Sequence, residues 1–231
     1  MQEAHKKSSA REQTRQQLIF AAEKLFANAG IDGVSLRQIN LEAGQKNSSA
    51  AHYHFGSKDS LIMAIYQHRM ESVNERRIKK LAQLEASGDE KNIRALVGAI
   101  VYPIVEEIDA NTSGRHYIRF MAQAIGHPQL DLIELWRQDH NAGLTRTIEL
   151  LRKALPDIPD AIIGQRFGLA FEQIVHSLAD REKLRQSAKQ SFEVNSALFV
   201  SNLVDCISGA MAAPVSAETR KELQRLTKKA G

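Results

Sequence analysis

The segment SLRQINLEAGQKNSSAAHYHF, residues 35–55, decides the fold of this chain. Ser35, with Gln38 three residues later, forms a capping-box pattern, which predicts that a helix begins at Leu36. Apolar residues recur at helical spacing along that helix until Gly44, which can adopt the positive φ that ends a helix. The pattern predicts a short helix followed by a tight turn.

A second short helix is expected after that turn, at about residues 47–54. Asn47 or Ser48 can cap its N-terminus, and its side chains are small and polar until Tyr53 and Phe55. Two short helices joined by a turn that contains Gly form a helix-turn-helix.

The residues before the motif predict a helix over about 11–29, because apolar side chains form a stripe there and Gly30 stops it. Three short helices can then share one apolar centre. The residues expected in that centre are Leu18, Leu25, Phe26, Ile31, Val34, Leu36, Ile39 and Phe55.

The charge of the chain is concentrated around the helix-turn-helix. The net charge is +4, and residues 1–86 hold 13 Lys and Arg against 9 Asp and Glu, whereas residues 87–231 hold 18 of each. The basic excess therefore lies in the part that contains the motif, which fits a module that meets phosphates.

The start of the predicted second helix carries the side chains that can read a duplex. A recognition helix needs small or hydrogen-bonding residues where it enters the major groove. Lys46 can bond guanine, Asn47 or Gln45 can bond adenine, and Ala50 or Ala51 can touch a thymine methyl group. The DNA-binding surface is predicted to comprise Ser35, Arg37, Gln45, Lys46, Asn47, Ser48, Ser49, His52, Tyr53, His54 and Lys58.

Each of these residues also has a plainer interpretation. His52 and His54 could form a metal pair, although no acidic or Cys partner lies nearby in the sequence. The lysines could be solvated, and Arg37 could pair with Glu42 or Asp59. The motif as a whole favours DNA contact.

The rest of the chain predicts helices throughout. A connector helix is expected to begin after Ser57 and end near 86, and its cluster Arg76, Arg77, Lys79 and Lys80 is interpreted as a solvated face. Further helices are predicted over 91–109, 115–126, 129–154, 160–180, 192–212 and 217–229, with breaks at 111–114 and around 181–190, and with Pro103 kinking or splitting the first.

The sequence predicts an all-α fold with an N-terminal three-helix helix-turn-helix DNA-binding domain and a larger helical domain for ligand binding and dimerisation. The boundaries expected are 1–10 for a flexible arm, 11–56 for the DNA-binding domain, 57–86 for the connector helix and 87–231 for the larger domain. Helices 160–180 and 192–212 are apolar around more than half of their circumference, so we expect them to pair with a second subunit.

Together, these residues resemble the DNA-binding domain of TetR-type transcriptional regulators. The match runs over about 13–65 and comprises Leu18, Ala21, Ala22, Leu25, Phe26, Gly30, Ser35, Leu36, Ile39, Ala43, Gly44, Tyr53, His54, Phe55, Ser57, Lys58 and Leu61. The resemblance implies a ligand-responsive homodimer, most often a repressor, on a palindromic operator. It also implies phosphate contacts from Tyr53, Lys58 and the helix entry at Ser35.

The sequence departs from the family pattern in one place. Gly44 to Phe55 is one residue longer than usual, and Gln45 stands where a small apolar residue is common. Either the turn is longer or the second helix of the motif starts later.

The C-terminal part is similar to a branch of regulators that respond to fatty acids or acyl-CoA. Such helical domains bind apolar molecules between helices. Phe120, Trp136, Phe171 and Gln173 are the residues predicted to line the effector site.

Other classes of function find little support in the sequence. It contains no Gly-rich phosphate loop, no nucleophile elbow, no Glu-x-x-His pair and no zinc pattern, so we expect neither an enzyme nor a bound cofactor or metal. A single Cys206, the absence of an apolar leader and apolar runs too short to cross a bilayer favour a cytoplasmic protein without membrane contact. The alternative is an all-helical protein-interaction module that does not bind DNA.

Overall fold

The protein is all-helical, as the sequence predicts. The computed structural model describes residues 2–110, 112–127, 141–187 and 196–229, and these ranges contain helices and no strand. The helices are α1 (Gln2–Ala29), α2 (Leu36–Glu42), α3 (Ala50–Phe55), α4 (Lys58–Ser87), α5 (Ile93–Ala110), α6 (Thr112–Ala124), α7 (Ala142–Ala154), α8 (Asp160–Ser187), α9 (Ser196–Ala212) and α10 (Ala217–Lys229).

The first three helices form the predicted bundle. Leu18, Phe26 and Ile39 are completely buried where α1, α2 and α3 meet. The other five residues expected in this centre are also part of the hydrophobic core or pack against it. The interpretation of 35–55 as two helices in a small bundle is therefore confirmed.

Helix α1 begins at Gln2 rather than near Arg11. Residues 2–10 were expected to form a flexible arm, but they contain good helix formers and no Gly or Pro to interrupt them. The helical pattern that starts in the core thus extends back through the polar segment.

Helix α4 connects the bundle to the rest of the chain. Ser57 caps it by accepting a hydrogen bond from the Ser60 N–H (3.1 Å), and Asp59 lies in its first turn, where a negative charge is favourable. Gly88 ends the helix with a φ of +77°. At 1.5 Å per residue its 30 residues span about 45 Å.

Helix α5 is the centre of the larger domain, because it packs against α4, α6, α7 and α9. Its residues 96–101 are all buried, which explains the long apolar run in the sequence. Pro103 lies inside α5 and does not split it, so the helix continues although one backbone hydrogen bond is lost.

Two predicted boundaries are wrong or lie outside the described residues. A break was expected around 181–190, but α8 continues to Ser187, because Arg181 and Glu182 are buried and Arg181 lies 3.5 Å from the carboxylate of Asp109 on α5. Of the helix predicted over 129–154, the structure describes Ala142–Ala154, and residues 128–140 lie outside the described part.

Cys206 is exposed on α9, which corrects the expectation that it is a small core residue. Among the described residues, no single helix is both long and apolar enough to cross a membrane. Only α9 and the first part of α10 taken together reach that length and hydropathy, and the two are bent by 61°.

Candidate nucleic-acid interface

Helix α2 begins where the capping box predicts. The Ser35 hydroxyl accepts a hydrogen bond from the Gln38 N–H (3.3 Å), and the Gln38 side-chain oxygen accepts one from the Ser35 N–H (2.8 Å). Arg37 follows in the first turn and is exposed. The capping box fixes the direction in which the helix presents Arg37 to the surface.

The turn after α2 has the geometry that Gly44 predicts. Its φ is +67°, and the Gln45 N–H donates to the Asn40 carbonyl at 2.9 Å. The Gln45 side chain bonds inward, because its amide donates to the Gln17 side chain (3.0 Å) and to the Ala43 carbonyl (3.2 Å). Gln45 therefore joins the turn to α1 in this conformation.

Helix α3 starts at Ala50, two residues later than a cap at Asn47 would place it. The departure noted in the sequence is thus accommodated by a later helix start. Ser49 takes the cap position without a side-chain hydrogen bond, and the Asn47 carboxamide oxygen instead accepts from the Ser49 N–H at 2.9 Å. Residues 45–49 consequently lie on the turn rather than on the helix.

Asn40 supplies the contact that joins the two helices, and no capping pattern in the sequence predicts this contact. This side chain is 2% exposed; its amide donates to the Ser48 carbonyl (2.5 Å) and its oxygen accepts from the Ala51 N–H (2.8 Å). A buried carboxamide with both ends satisfied specifies one arrangement of the chain. The available signal was a lone Asn on the apolar face that Leu36 and Ile39 define.

Helix α3 presents polar side chains outward and alanines inward. Ala50 and Ala51 are 7% and 0% exposed, so the expectation that either touches a thymine methyl group is wrong. They are buried because the slim face of α3 packs against α1 and α2. His52 is exposed and Tyr53 is 71% exposed, a large aromatic surface to leave in water.

The N-terminal half of α1 flanks this surface with two arginines. The Arg11 guanidinium lies 5.8 Å from the centre of the Tyr53 ring, and Arg15 lies 5.5 Å from the Phe55 ring. Burial, together with the positive charges of both arginines, lowers the pKa of His54. In the free protein His54 is therefore neutral at pH 7 and can offer hydrogen bonds to a duplex.

The remaining predicted contacts lie around a shallow groove. Lys46, Asn47, Ser48 and Ser49 are all exposed on the turn. The groove is lined by Arg37, Gln38, Asn40, Leu41, Gln45, Lys46 and Ser48. Two cations and several amide or hydroxyl groups thus share one face.

Lys58 differs from the other predicted DNA contacts. Its side chain is half-buried, and its ammonium group donates to the Ile31 carbonyl at 2.7 Å. This bond ties the start of α4 to the turn between α1 and α2. An ammonium has three donors, so the structural bond leaves capacity for a phosphate contact.

The residues predicted for an effector site occupy different environments. Phe120 on α6 is completely buried and stacks on Phe26 of α1, with ring centres 6.1 Å apart. Phe171 is buried on α8, whereas Gln173 on the same helix is exposed. Trp136 lies outside the described residues. The role of these four in ligand binding stays a prediction.

Helix α6 connects the larger domain to the bundle. Besides the Phe26–Phe120 contact, the Arg119 side chain donates to the Ala27 carbonyl at 3.0 Å. His127, just beyond α6, lies 3.2 Å from the carboxylate of Asp32. A shift of α6 would therefore act directly on the end of α1.

A buried charged network makes a second connection. Arg69 of α4 bonds both oxygens of Glu23 on α1 and one oxygen of Glu107 on α5, each at 2.8 Å. Ser72 and Arg76 donate to the other oxygen of Glu107, at 2.5 and 2.9 Å. Three helices from both parts of the chain are therefore held by one guanidinium.

Comparison with known proteins assigns a family to this fold. Residues 18–65 match the family described as bacterial regulatory proteins of the tetR family, and residues 98–210 match the tetracyclin repressor-like C-terminal domain. These two matches account for most of the chain. The chain belongs to the TetR family, with a DNA-binding domain followed by a ligand-binding domain.

One curated relative is the HTH-type transcriptional repressor NicS of Pseudomonas putida. It is 32% identical over 89 residues, which is 38% of this chain and 41% of that relative. The match therefore spans less than half of the relative's length. The homologues are transcription regulators and not enzymes, as the sequence predicts.

One solved structure shows the same fold. A crystal structure from Shewanella sp. PV-4, classed with the tetR family, is 19% identical, with a TM-score of 0.59 over 87% of this chain and 99% of that one. A TetR-family regulator from Streptomyces coelicolor A3 is 18% identical over 87% of this chain and 95% of its own. Its TM-score is 0.41, which is below the level that shows a shared fold.

Proposed function

We propose that this protein is a cytoplasmic, dimeric, ligand-responsive repressor that binds a palindromic operator through α3 and the turn before it. The observation that carries the proposal is the exposed surface of Arg37, Lys46, His52 and Tyr53, which Asn40 holds in one arrangement. A rigid polar face with cations and an exposed aromatic ring matches what a duplex presents.

The side chains divide into two groups by chemistry. Lys46, Asn47 and Ser48 lie on the turn at the N-terminus of α3, the end that enters a major groove, and can bond base edges. Tyr53, Arg37 and the capped start of α2 at Ser35 suit phosphate oxygens. Ser49, His52, His54 and Lys58 complete the proposed surface.

A dimer is supported by the outer faces of α8 and α9. Leu169 on α8 and Leu198 on α9 are each 68% exposed, which is costly for a leucine in water. Gly164, Gly168 and Gly209 on the same helices have open space beside them. Small residues next to large apolar ones allow two helix pairs to approach closely in a four-helix interface.

The effector is proposed to act through the two links between the domains. A ligand in the helices around α5 that moves α6 or α4 shifts the end of α1, through Phe26 and through the Glu23–Arg69 pair. Two reading surfaces must lie about one helical turn of DNA apart, so a change in their separation weakens operator binding. Fatty acids, acyl-CoA and other apolar metabolites are the effectors that the sequence suggests.

The experiment that tests this function begins with selection of duplexes from a random pool by the purified full-length protein. Affinity for the selected duplex is then measured between 50 and 200 mM salt, over which several phosphate contacts weaken binding by orders of magnitude, roughly 10³-fold or more. Lys46→Ala and Tyr53→Ala should each weaken binding, whereas Lys91→Ala, an exposed lysine far along the chain, should not.

Two results would overturn the proposal. No salt-dependent binding to any duplex would favour the protein-interaction module instead. Unchanged affinity in both Lys46→Ala and Tyr53→Ala would show that the assigned surface is wrong even if the protein binds DNA elsewhere.

A further inference from the structure

Arg77 on α4 is buried inside the larger domain, which corrects its interpretation as part of a solvated face. The side chain is 2% exposed, and its Nε and Nη1 groups are buried without a hydrogen-bond acceptor among the described residues. Its sequence neighbours Ile78 and Lys79 are exposed, so the helix turns this one cation inward. Donors on a buried guanidinium are costly to leave unbonded.

The other two buried arginines of the described part are fully matched with carboxylates. Arg69 bonds Glu23 and Glu107 at 2.8 Å. Arg181 bonds Glu182 at 3.0 Å and lies 3.5 Å from Asp109. This protein therefore pairs its buried guanidinium groups with acids, and Arg77 is the exception.

The groups that act on Arg77 are neutral. Tyr66 and Tyr117 are the side chains whose electrostatic influence on it is resolved, and burial raises the pKa of both phenols, so both are uncharged at neutral pH. Burial lowers the pKa of Arg77 to about 10, which still leaves it protonated at pH 7. One positive charge is thus enclosed without a negative partner among the residues that the structure describes.

Two hydrogen bonds join α4 to the start of α7 on the side of α4 that carries Arg77. The Tyr66 hydroxyl donates to the Asn141 side chain at 3.1 Å. The Asn74 side-chain oxygen accepts from the Gly143 N–H at 2.8 Å, and a side chain at Gly143 would come within 3.4 Å of the Arg77 stem. The start of α7 is therefore held against α4 beside the guanidinium.

Apolar side chains occupy the same side of α4. Val73 and Leu81, one turn before and one turn after Arg77, are buried, as is Met70 two turns before. A molecule that reaches Arg77 would meet one cation, neutral hydroxyl groups and hydrocarbon. That set matches a single negative charge on an apolar body, since the nearby described cation, Arg69, is already paired with Glu23 and Glu107.

We propose that Arg77 anchors the carboxylate of the effector, and that the effector is a monoanionic carboxylic acid with an apolar body. This inference rests on the proposed function insofar as the larger domain binds an effector. The guanidinium donates to the carboxylate oxygens through its unbonded Nε and Nη1 groups. A free acid fits this site, whereas the several phosphate charges of an acyl-CoA do not.

A comparison of two variants without ligand distinguishes an anchor from a structural residue. Arg77→Met removes an unpaired buried charge, so its melting temperature should equal or exceed that of the wild type. Arg69→Met, the matched control, leaves Glu23 and Glu107 without their partner and should melt lower. A fall in Arg77→Met as large as that in Arg69→Met, or failure to fold, would overturn the proposal.

Ligand binding is tested with probes that differ in one property at a time. Benzoate, phenylacetate, hexanoate and decanoate are titrated by calorimetry and thermal shift against full-length protein, beside benzamide, inorganic phosphate and octanoyl-CoA. At least one acid should bind, and benzamide should bind far more weakly than benzoate. Arg77→Met should weaken acid binding by about thirtyfold or more, whereas Lys79→Met on the exposed face should leave it unchanged.

The outcomes separate this inference from the proposed function. Binding of none of the four acids, or equal binding by the wild type and Arg77→Met, overturns the role of Arg77. Tighter binding of octanoyl-CoA or phosphate than of the acids would contradict the claim that the effector carries a single negative charge. Operator binding by the wild type is measured separately, so failure to bind any duplex would reject the regulator while leaving the acid site to be judged by its own titrations.

Discussion

The side-chain oxygen of Asn40 accepts a hydrogen bond of 2.8 Å from the backbone N–H of Ala51, across the turn that joins α2 to α3. The first N–H groups of a helix have no partner within the helix, and Ser49, in the cap position, does not supply one from its side chain. The cap of α3 therefore comes from the preceding helix, so the two helices of the motif are fixed relative to each other.

Replacing Asn40 by Ala should destabilise the bundle and disable the DNA-binding surface together. The change leaves the Ala51 N–H unbonded in a buried place and removes the bond to the Ser48 carbonyl, at a cost of about 1–3 kcal/mol in the free energy of unfolding. Chemical denaturation measures that cost, and fluorescence anisotropy with the selected duplex measures affinity. Asn28→Ala, an exposed carboxamide on α1, is the control and should change neither quantity. Unaltered stability in Asn40→Ala would show that the contact contributes nothing.

Lys46 and Lys58 should differ in their effect on stability although both are proposed to bind DNA. Lys46 is exposed, so Lys46→Ala should weaken operator binding and leave the melting temperature unchanged. Lys58→Ala should lower both, because its ammonium bonds the Ile31 carbonyl at 2.7 Å and a hydrogen bond to a charged group contributes about 1.5–3 kcal/mol. Melting curves and anisotropy titrations on the same preparations provide the comparison. Equal melting temperatures for the two variants would contradict the structural role of Lys58.

The features that local patterns determine were predictable, and those that depend on distant contacts were not. Ser35 with Gln38 and the positive φ of Gly44 are local, so the start and end of α2 followed from the sequence. Arg77 looked like one of four neighbouring cations, and only the packing of α5 and α7 against α4 buries it. A run of charged residues predicts that most of a helix surface is solvated. It does not predict which of those residues is buried, because that depends on which side of the helix the rest of the chain covers.

The same limit explains the errors around the candidate site. The later start of α3 follows from a cap supplied by Asn40, whose side-chain oxygen accepts from the Ala51 N–H eleven residues later, and no capping pattern in 47–50 reveals it. The helix around Arg181 continues because Arg181 is buried and lies 3.5 Å from the carboxylate of Asp109 on α5, a tertiary contact that outweighs the weak local signals for a break. Side-chain partners far apart in the sequence decided each case.

Neutralising Glu107 should cost stability at neutral pH and progressively less in acid. Burial opposes ionisation of this carboxylate, but hydrogen bonds from Ser72, Arg76 and Arg69 outweigh it and lower the pKa of Glu107 below 4.5. A group with a lowered pKa in the folded state stabilises the fold above its unfolded pKa, and that stability is lost as the pH falls through the folded pKa. Glu107→Gln should therefore destabilise by about 3 kcal/mol at pH 7, and the difference should shrink below pH 4.5.

Glu106→Gln is the matched control for this prediction. Glu106 is adjacent in the sequence but exposed, and it pairs with Lys80 at 3.1 Å on the surface. Surface ion pairs contribute little, so the loss at pH 7 should stay under about 1 kcal/mol. Urea titrations of the wild type, Glu107→Gln and Glu106→Gln at pH 7 and in acid measure these free energies of unfolding. A loss of stability in Glu107→Gln that does not change with pH would contradict the lowered pKa of Glu107.

Charging the outer faces of α8 and α9 should convert the proposed dimer into a monomer. Leu169 and Leu198 are both 68% exposed in the isolated chain, and burying them against a second copy removes apolar surface from water, at about 25 cal/mol per Å². The double variant Leu169→Glu, Leu198→Glu should have the mass of one 25.8 kDa chain by light scattering, whereas the wild type should have twice that mass. Leu226→Glu on α10, where the leucine is 63% exposed, is the control and should leave the mass unchanged. Because a monomer presents only one reading surface, the double variant should also lose affinity for the palindrome more than for an isolated half-site. A double variant that stayed dimeric would place the interface on another face of the protein.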